Sequence, residues 1–301
     1  MSWQKSWKRR GPWLELTPGK EVTSSEDKPL AAERWILEQL GMPEKLYRRL
    51  QHDKLILLAG DRLRIQLFPE LDYGVEPRWH ELTVLYEDDF CLVVHKPAGM
   101  PVHPDGGAVG GPVTLDHAVA SYYEMNGIQT PVRHIHRLDV DTTGPVLYAK
   151  NGYAQLKLDE QMRSKDIHRR YVAIAQGKVP QALVRIDEPI GKDRHHKQRR
   201  RVSNTGQEAV TLVQTEEYLV GATLVHLTLE TGRTHQIRVH MSHVGHPLLG
   251  DVLYGGPSLQ MRRQALHGEE LTFQHPLSGQ EINVLDPWPS DFQELYDRMK
   301  L

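Results

Sequence analysis

The segment His136-Arg137-Leu138-Asp139-Val140-Asp141-Thr142-Thr143-Gly144 closes on a glycine and runs directly into the apolar residues 145–149. A polar turn feeding a short apolar run predicts a loop mounted on a strand. It sets the carboxylate of Asp139 two residues from the fixed positive charge of Arg137. A nearby arginine favours an ionised aspartate, and a turn held on a strand can present that carboxylate rigidly to a pocket. Such a group suits the role of nucleophile or base rather than proton donor. Spacing alone describes a surface ion pair beside an Asx turn equally well, and in isolation that is the commoner outcome.

The rest of the chain predicts an α+β protein with a mixed, largely antiparallel sheet and flanking helices. The turn-rich stretch 68–77 marks a boundary, giving a small N-terminal α/β module, residues 1–78, and a larger domain, residues 79–301. In the module, residues 31–40 read as a helix with Ala32, Ile36 and Leu40 on one face, and Pro43 starts a second helix through Leu50. Two short strands at 55–58 and 63–67 follow. In the larger domain, strands are expected at 82–86 and 91–95, in a run entering His136-Arg137-Leu138, and at 146–149, 170–175, 209–214 and 223–229. Helices are expected at 115–123, at 153–162 (Leu156 and Met162 among its apolar positions) and after Gly232. The last carries the stripe Ile237, Met241, Val244.

The chain has 301 residues, 39% hydrophobic and 25% charged, which allows a sizeable core in one or two domains. Its one cysteine, Cys91, lies in an apolar run, so no intramolecular disulfide can form. The first ten residues carry positive charge with no apolar segment behind it, unlike a signal peptide, and no stretch has the length of a spanning helix. A cytoplasmic protein without membrane association is expected. A net charge of −2 argues against coating nucleic acid non-specifically, yet residues 192–201 form a dense basic run. Solvated loops commonly look like that.

Further segments stand out: Lys96-Pro97-Ala98-Gly99-Met100, the strand start Ile167-His168-Arg169-Arg170-Tyr171, and Gly232-Arg233-Thr234-His235-Gln236-Ile237-Arg238-Val239-His240. The last opens a helix whose N-terminal amides could hold a phosphate. Gly245-His246-Pro247-Leu248-Leu249-Gly250-Asp251 follows, then Leu266-His267, Phe273-Gln274-His275-Pro276 and Pro289-Ser290-Asp291-Phe292. In this order, together with His-Arg-Leu-Asp and Asp-Thr-Thr-Gly, they closely resemble the RluA-type pseudouridine synthase family over residues 80 to 295. Two departures are His95, where the family usually has asparagine, and Pro145, where Leu or Val is common.

The resemblance implies a pseudouridine synthase fold and isomerisation of specific uridines in structured RNA, ribosomal or transfer, by a monomer needing neither cofactor nor metal. It matches Asp139 to the catalytic aspartate, Tyr171 to the tyrosine that stacks on the target base and is proposed as a base, and Arg238 to the arginine pairing with the carboxylate. RNA contacts are then expected from Arg137, Lys96, Arg233 and His235, and from Lys192, Arg194, Lys197, Arg199, Arg200 and Arg201 in the basic run. The N-terminal module stands where relatives carry an S4-like RNA-binding unit, with a shortened span. Apart from the resemblance, Tyr171 reads as an ordinary strand aromatic and Arg238 as an exposed helix residue. The close-set His235, His240, His243 and His246 raise a metalloenzyme, but no zinc signature accompanies them. A glycosidase would need two flanking carboxylates, and Asp139 and Asp141 are too close along a tight turn. An RNA-binding or ribosome-associated protein without catalysis is the remaining alternative.

Overall fold

A computed structural model describes residues 7–104, 111–258 and 261–300. The N-terminal end, read above as lacking an apolar leader, lies largely outside the described residues.

The N-terminal part begins with β1 (Lys8–Arg10), β2 (Trp13–Leu16) and a single helical turn, α1 (Lys20–Thr23). It continues through α2 (Lys28–Glu38), α3 (Glu44–His52), β3 (Ile56–Ala59) and β4 (Arg62–Gln66). Asp27 starts α2 by accepting the amide of Leu30 at 3.1 Å. The sheet runs β1-β2-β4-β3, all antiparallel. Leu14 and Leu16 on β2 and Leu63 and Ile65 on β4 alternate inward, as a half-buried strand requires, against Trp35, Ile36, Leu46 and Leu50 of the two helices. The same apolar cluster continues without a break into Phe90, Leu147, Tyr153 and Phe273. The Tyr153 hydroxyl donates to the carbonyl of Leu40 at 2.9 Å across that junction.

Residues 67–83 carry no helix or strand. Then β5 (Val84–Glu87), β6 (Cys91–Lys96) and β7 (Gly144–Ala149) form a three-stranded antiparallel sheet, flanked by α4 (Leu115–Met125) and α5 (Gly152–Ser164). The larger sheet draws on β8 (His168–Gln176), β9 (Arg185–Asp187), β12 (Val210–Leu219), β13 (Ala222–Leu229), β14 (Leu266–Gln274) and β15 (Glu281–Leu285). Its order is β15-β14-β8-β13-β12-β9. Between β9 and β12 stands a hairpin of β10 (Ile190–Lys192) and β11 (Arg200–Val202). The chain also forms α6 (Gln236–His243), a 3-10 turn at Val252–Tyr254 and α7 (Ser290–Met299). Every named strand pair is antiparallel. Cys91 is buried and free. Pro145 lies on β7, at the edge of its sheet, where its missing amide is tolerated.

Two local expectations need correction. The run entering His136-Arg137-Leu138 is not a strand. It lies beside β7 with only an isolated bridge, His134 to Tyr148. At the next step the imidazole of His136, not its backbone, accepts the Leu147 amide at 3.3 Å. The Gly232 segment does not open the helix directly either, because α6 starts at Gln236, after His235 at φ 58. The Gln236 side-chain oxygen accepts the Arg233 amide at 2.9 Å and the Thr231 hydroxyl at 2.8 Å. The Arg233 amide is therefore already taken and not free for a phosphate.

The three-stranded and six-stranded sheets meet beside the Asp139 turn. The Gly268 amide donates to the Thr143 carbonyl at 2.8 Å, and the Thr143 hydroxyl meets His267 Nδ1 at 2.9 Å. A Cβ on Gly144 would stand 2.8 Å from Gly268 Cα, and Gly144 itself has φ +142. Both a side chain and its backbone conformation are excluded there. We expect Gly144→Ala to destabilise the protein by roughly 2–4 kcal/mol, read as a lower urea midpoint with unchanged slope. An unaltered midpoint would mean that the sheets can separate locally without cost.

Candidate active site

Asp139 sits at the start of the turn, whose first hydrogen bond runs from the Thr142 amide to the Asp139 carbonyl at 3.1 Å. Three donors from outside hold the turn. Lys96 Nζ donates to the Val140 carbonyl at 2.7 Å. Arg263 Nη1 donates to the Asp141 carbonyl at 3.2 Å, and Gln264 Nε2 to the Thr142 hydroxyl at 3.0 Å. Arg263 is itself fixed by a two-point pair with Asp291, at 2.7 and 2.8 Å. Asp139 is thus carried on a loop whose polar groups are tied down from the C-terminal end of β6 and from the start of β14.

The placement of Lys96 overturns the expectation that it contacts RNA. Its side chain is fully buried, and the ammonium also donates to the carbonyls of Pro97 and Met100, at 2.7 and 2.8 Å. Burial pulls its pKa down to about 7 while the nearby Asp141 and Asp139 oppose that shift. Three carbonyl acceptors match the three N–H bonds of an ammonium, so the geometry is that of the charged form.

Arg238, buried on α6, pairs with two carboxylates at once. Nε and Nη2 meet Asp251 at 2.7 and 2.9 Å, and Nη1 reaches Asp139 at 3.2 Å. Burial works against the charge of Arg238, but the two carboxylates outweigh it and push its pKa up. The guanidinium also lies 5.0 Å from the ring centre of Tyr254. The Tyr254 hydroxyl accepts the Arg200 amide at 2.9 Å and meets His235 Nδ1 at 2.8 Å. Asp251 and Tyr254 belong to this site, and neither was assigned a role from the sequence. Only the glycine-punctuated context of Asp251 hinted at it.

Tyr171, on β8, is buried in an apolar cluster that also holds Ile237 and Leu266. Burial raises the pKa of its phenol; nearby Arg169 lowers it and Asp139 raises it further. Its hydroxyl has no hydrogen-bond partner among the described residues. Asp139, Tyr171 and Arg238 all line one cleft of about 690 Å³. The expected Arg137, Arg233 and His235 lie on the same cleft. Arg137 is exposed and turned toward His103 Nε2, 3.4 Å away, so the partner of Asp139 is Arg238 and not its sequence neighbour. Arg233 spends one donor on the Glu208 carbonyl at 2.8 Å.

The basic run is the β10–β11 hairpin. Lys192, Arg194, Lys197 and Arg201 are exposed on it. Arg199 and Arg200 are half-buried, with Arg199 stacked 5.7 Å from the Tyr254 ring centre. The loop end of the hairpin is thereby anchored to the residue that also supports Arg238. The close-set histidines do not converge: His240 bonds Thr211 and the Glu188 carbonyl, while His246 bonds the Gln176 carbonyl. Among the described residues no three His, Cys, Asp or Glu side chains group as a metal site would need. Among them, no helix is long and apolar enough to cross a membrane.

A buried arginine is shared by two aspartates, one of them open to a cleft that a buried tyrosine also lines. The family described as RNA pseudouridylate synthase matches residues 90–243, which contain all three of these cleft groups. The chain belongs to that family. It is an RNA pseudouridine synthase, an isomerase acting on uridine in RNA, as the ordered motifs and their RluA-type resemblance implied. The chain is similar to the Bacillus subtilis (strain 168) protein named uncharacterized RNA pseudouridine synthase YhcT, with 44% identity over 81% of this chain and 80% of the relative. It is 39% identical to ribosomal large subunit pseudouridine synthase D of Xanthomonas campestris pv. campestris, over 81% of this chain and 77% of the relative. Among solved structures, human RNA pseudouridylate synthase domain containing 4 superposes with a TM-score of 0.59 at 25% identity, covering 72% of this chain and 92% of the other. The mixed architecture of helices and antiparallel sheet is accordingly the pseudouridine synthase fold.

Two substitutions test the scaffold of this synthase. Lys96→Met leaves three buried carbonyls without their donor and should cost roughly 2–4 kcal/mol, with turnover falling as the Asp139 loop shifts. Thermal unfolding near wild type would show that the loop does not depend on the ammonium. Asp251→Asn removes one of two charges facing a buried guanidinium and should cost about 3 kcal/mol, measured by urea unfolding.

Proposed function

We propose that Asp139 starts the rearrangement of a uridine flipped out of structured RNA into the cleft. The observation that carries this reading is the Arg238–Asp139 contact at 3.2 Å, facing the same cleft as the buried ring of Tyr171. The bond to be broken joins N1 of uracil to C1′ of ribose. An ionised carboxylate can attack C1′, or take the proton from C2′, without a metal. Arg238 is shared by Asp139 and Asp251, so the three groups together carry one net negative charge, and Asp139 is the carboxylate that presents it to the cleft. A uridine in a stack is out of reach and has to be extruded first. The face of Tyr171 offers the extruded base a new stacking partner. After cleavage the uracil turns within the cleft, C5 bonds to C1′, and the C5 proton is exchanged for one on N1. Walls that exclude water keep the detached ring from escaping.

For the substrate we infer large-subunit ribosomal RNA. The support is the name shared by relatives from Xanthomonas campestris, Haemophilus ducreyi and Escherichia coli O157:H7, each a ribosomal large subunit pseudouridine synthase D. The exposed Lys192, Arg194, Lys197 and Arg201 supply phosphate contacts, with Arg137 and Arg233 at the cleft. Residues 1–78 act as an S4-like part that packs on the catalytic domain and extends the RNA-facing surface. No observation favours an RNA-binding protein without catalysis.

Asp139→Asn should abolish pseudouridine formation while folding and RNA affinity stay close to wild type. Appreciable turnover by that variant would sink the role of Asp139. A pseudouridine map of cellular RNA with and without the protein then identifies the substrate, and loss confined to transfer RNA would refute the ribosomal choice. Replacing Arg194, Lys197 and Arg201 by alanine should lower the salt slope of RNA binding by about one for each phosphate no longer neutralised. An unchanged slope removes the hairpin from the interface.

A further inference from the structure

Arg169 is the second residue of β8 and stands two before Tyr171, so both side chains leave the same face of the strand. It lines the same cleft and is only 9% exposed. Arg238 and Arg263 are equally buried, and each is held by carboxylates. The Arg169 side chain has no ion pair and no hydrogen bond with any described residue, and its Nε is sealed from water without an acceptor. Its guanidinium rests against the loop at Gly232, where an added Cβ would stand 3.0 Å from Nη1. Glycine at that position leaves room for the guanidinium.

A second orphaned donor lies beside it. His136 Nε2 accepts the Leu147 amide, which places the proton of a neutral imidazole on Nδ1. That Nδ1 is also buried without a partner. Burial first, then the charges of Arg169 and His134, holds the imidazole's pKa down to about 3, so it is neutral and a donor. Arg169 and His136 both line the cleft beside Tyr171, and Arg169 brings to it a full positive charge that no carboxylate pairs. A buried cation without a counter-charge is costly unless a ligand supplies one.

We propose that Arg169 is a catalytic residue that takes up the negative charge moving onto uracil as its glycosidic bond breaks. This inference rests on the reading of Asp139 and the flipped uridine given above. Whether Asp139 bonds to C1′ or removes the C2′ proton, the electron pair of the N1–C1′ bond stays with N1 and spreads onto O2 and O4. C5 of that anion then uses the pair to bond C1′. Asp139 either leaves C1′ or returns the proton to C2′, and the C5 proton is replaced by one on N1. The detached ring is anionic in both routes. Residues two apart on a strand are separated by roughly 7 Å, so a base on Tyr171 has its edge within reach of the Arg169 side chain. The RNA phosphates would lie at the open rim, where Arg137 and Arg233 stand. Fixed donors aimed at charge that appears only during reaction stabilise the transition state more than the bound substrate.

The test uses single-turnover loss of the N-glycoside in unmodified large-subunit ribosomal RNA transcripts, made with uridine or with 5-fluorouridine. Fluorine at C5 stabilises the departing anion and lessens the need for an external cation. Arg169→Met should slow uridine turnover by about 10²–10³-fold with RNA affinity near wild type. The deficit should shrink about tenfold on the fluorinated transcript, and Arg169→Lys should recover part of the rate on uridine. An equal deficit on both transcripts would mark Arg169 as merely structural and overturn the proposal. So would weakened RNA binding with a smaller salt slope and an intact saturating rate, the signature of a phosphate contact. Turnover surviving in Asp139→Asn, or none in wild type on any unmodified cellular RNA, overturns the underlying catalytic reading as well.

Discussion

One guanidinium between two carboxylates organises the catalytic half of this protein. Arg238 is buried, which is tolerable only because Asp251 pairs with it at two points from the loop after α6. That pairing uses Nε and Nη2 and leaves Nη1 directed at the cleft, where it meets Asp139. The first carboxylate thus sets the orientation with which the second is met. The stacking of Tyr254 on the same guanidinium, and the tie from Tyr254 to the β11 backbone, connect this ion cluster to the basic hairpin.

The Asp139 loop answers from the other side. Its carbonyls and one hydroxyl are claimed by Lys96, Arg263 and Gln264, and its last residue, Gly144, is pressed against Gly268. The three-stranded and six-stranded sheets, which also share an apolar cluster, are joined at this point through backbone and short side chains. A loop held by several strong donors loses little further entropy on binding, so the carboxylate is preorganised rather than recruited by substrate. The polar residues that surround it are chiefly anchors, and only a few face the cleft.

Much of this was legible in the chain because the informative motifs are contiguous. The turn, the strand tyrosine and the helix arginine each sit in a recognisable local pattern, and the order of those patterns implied the fold. Pairing across distance was not legible. Arg137 is two residues from Asp139 yet points to His103, because neighbours in an irregular loop need not share a face. Asp251 and Arg169 lie in segments that stand out in the sequence, but the role of each comes from what it meets, or fails to meet, after folding. A lysine beside Pro-Ala-Gly looks exposed in the sequence, whereas three loop carbonyls enclose Lys96. The strands β1 and β2, three and four residues long, are too short to show a period.

The apolar cluster that runs from the N-terminal helices into Phe90, Tyr153 and Phe273 has a consequence for how such a chain can be shortened. A protein cut near residue 78 would present those aromatic rings to water as one contiguous patch, a surface that soluble monomers seldom leave open. The N-terminal part therefore serves as a wall of the larger domain as well as an appendage to it. Insertion or deletion of residues is better accommodated at the exposed tip of the β10–β11 hairpin, where no core residue would be uncovered.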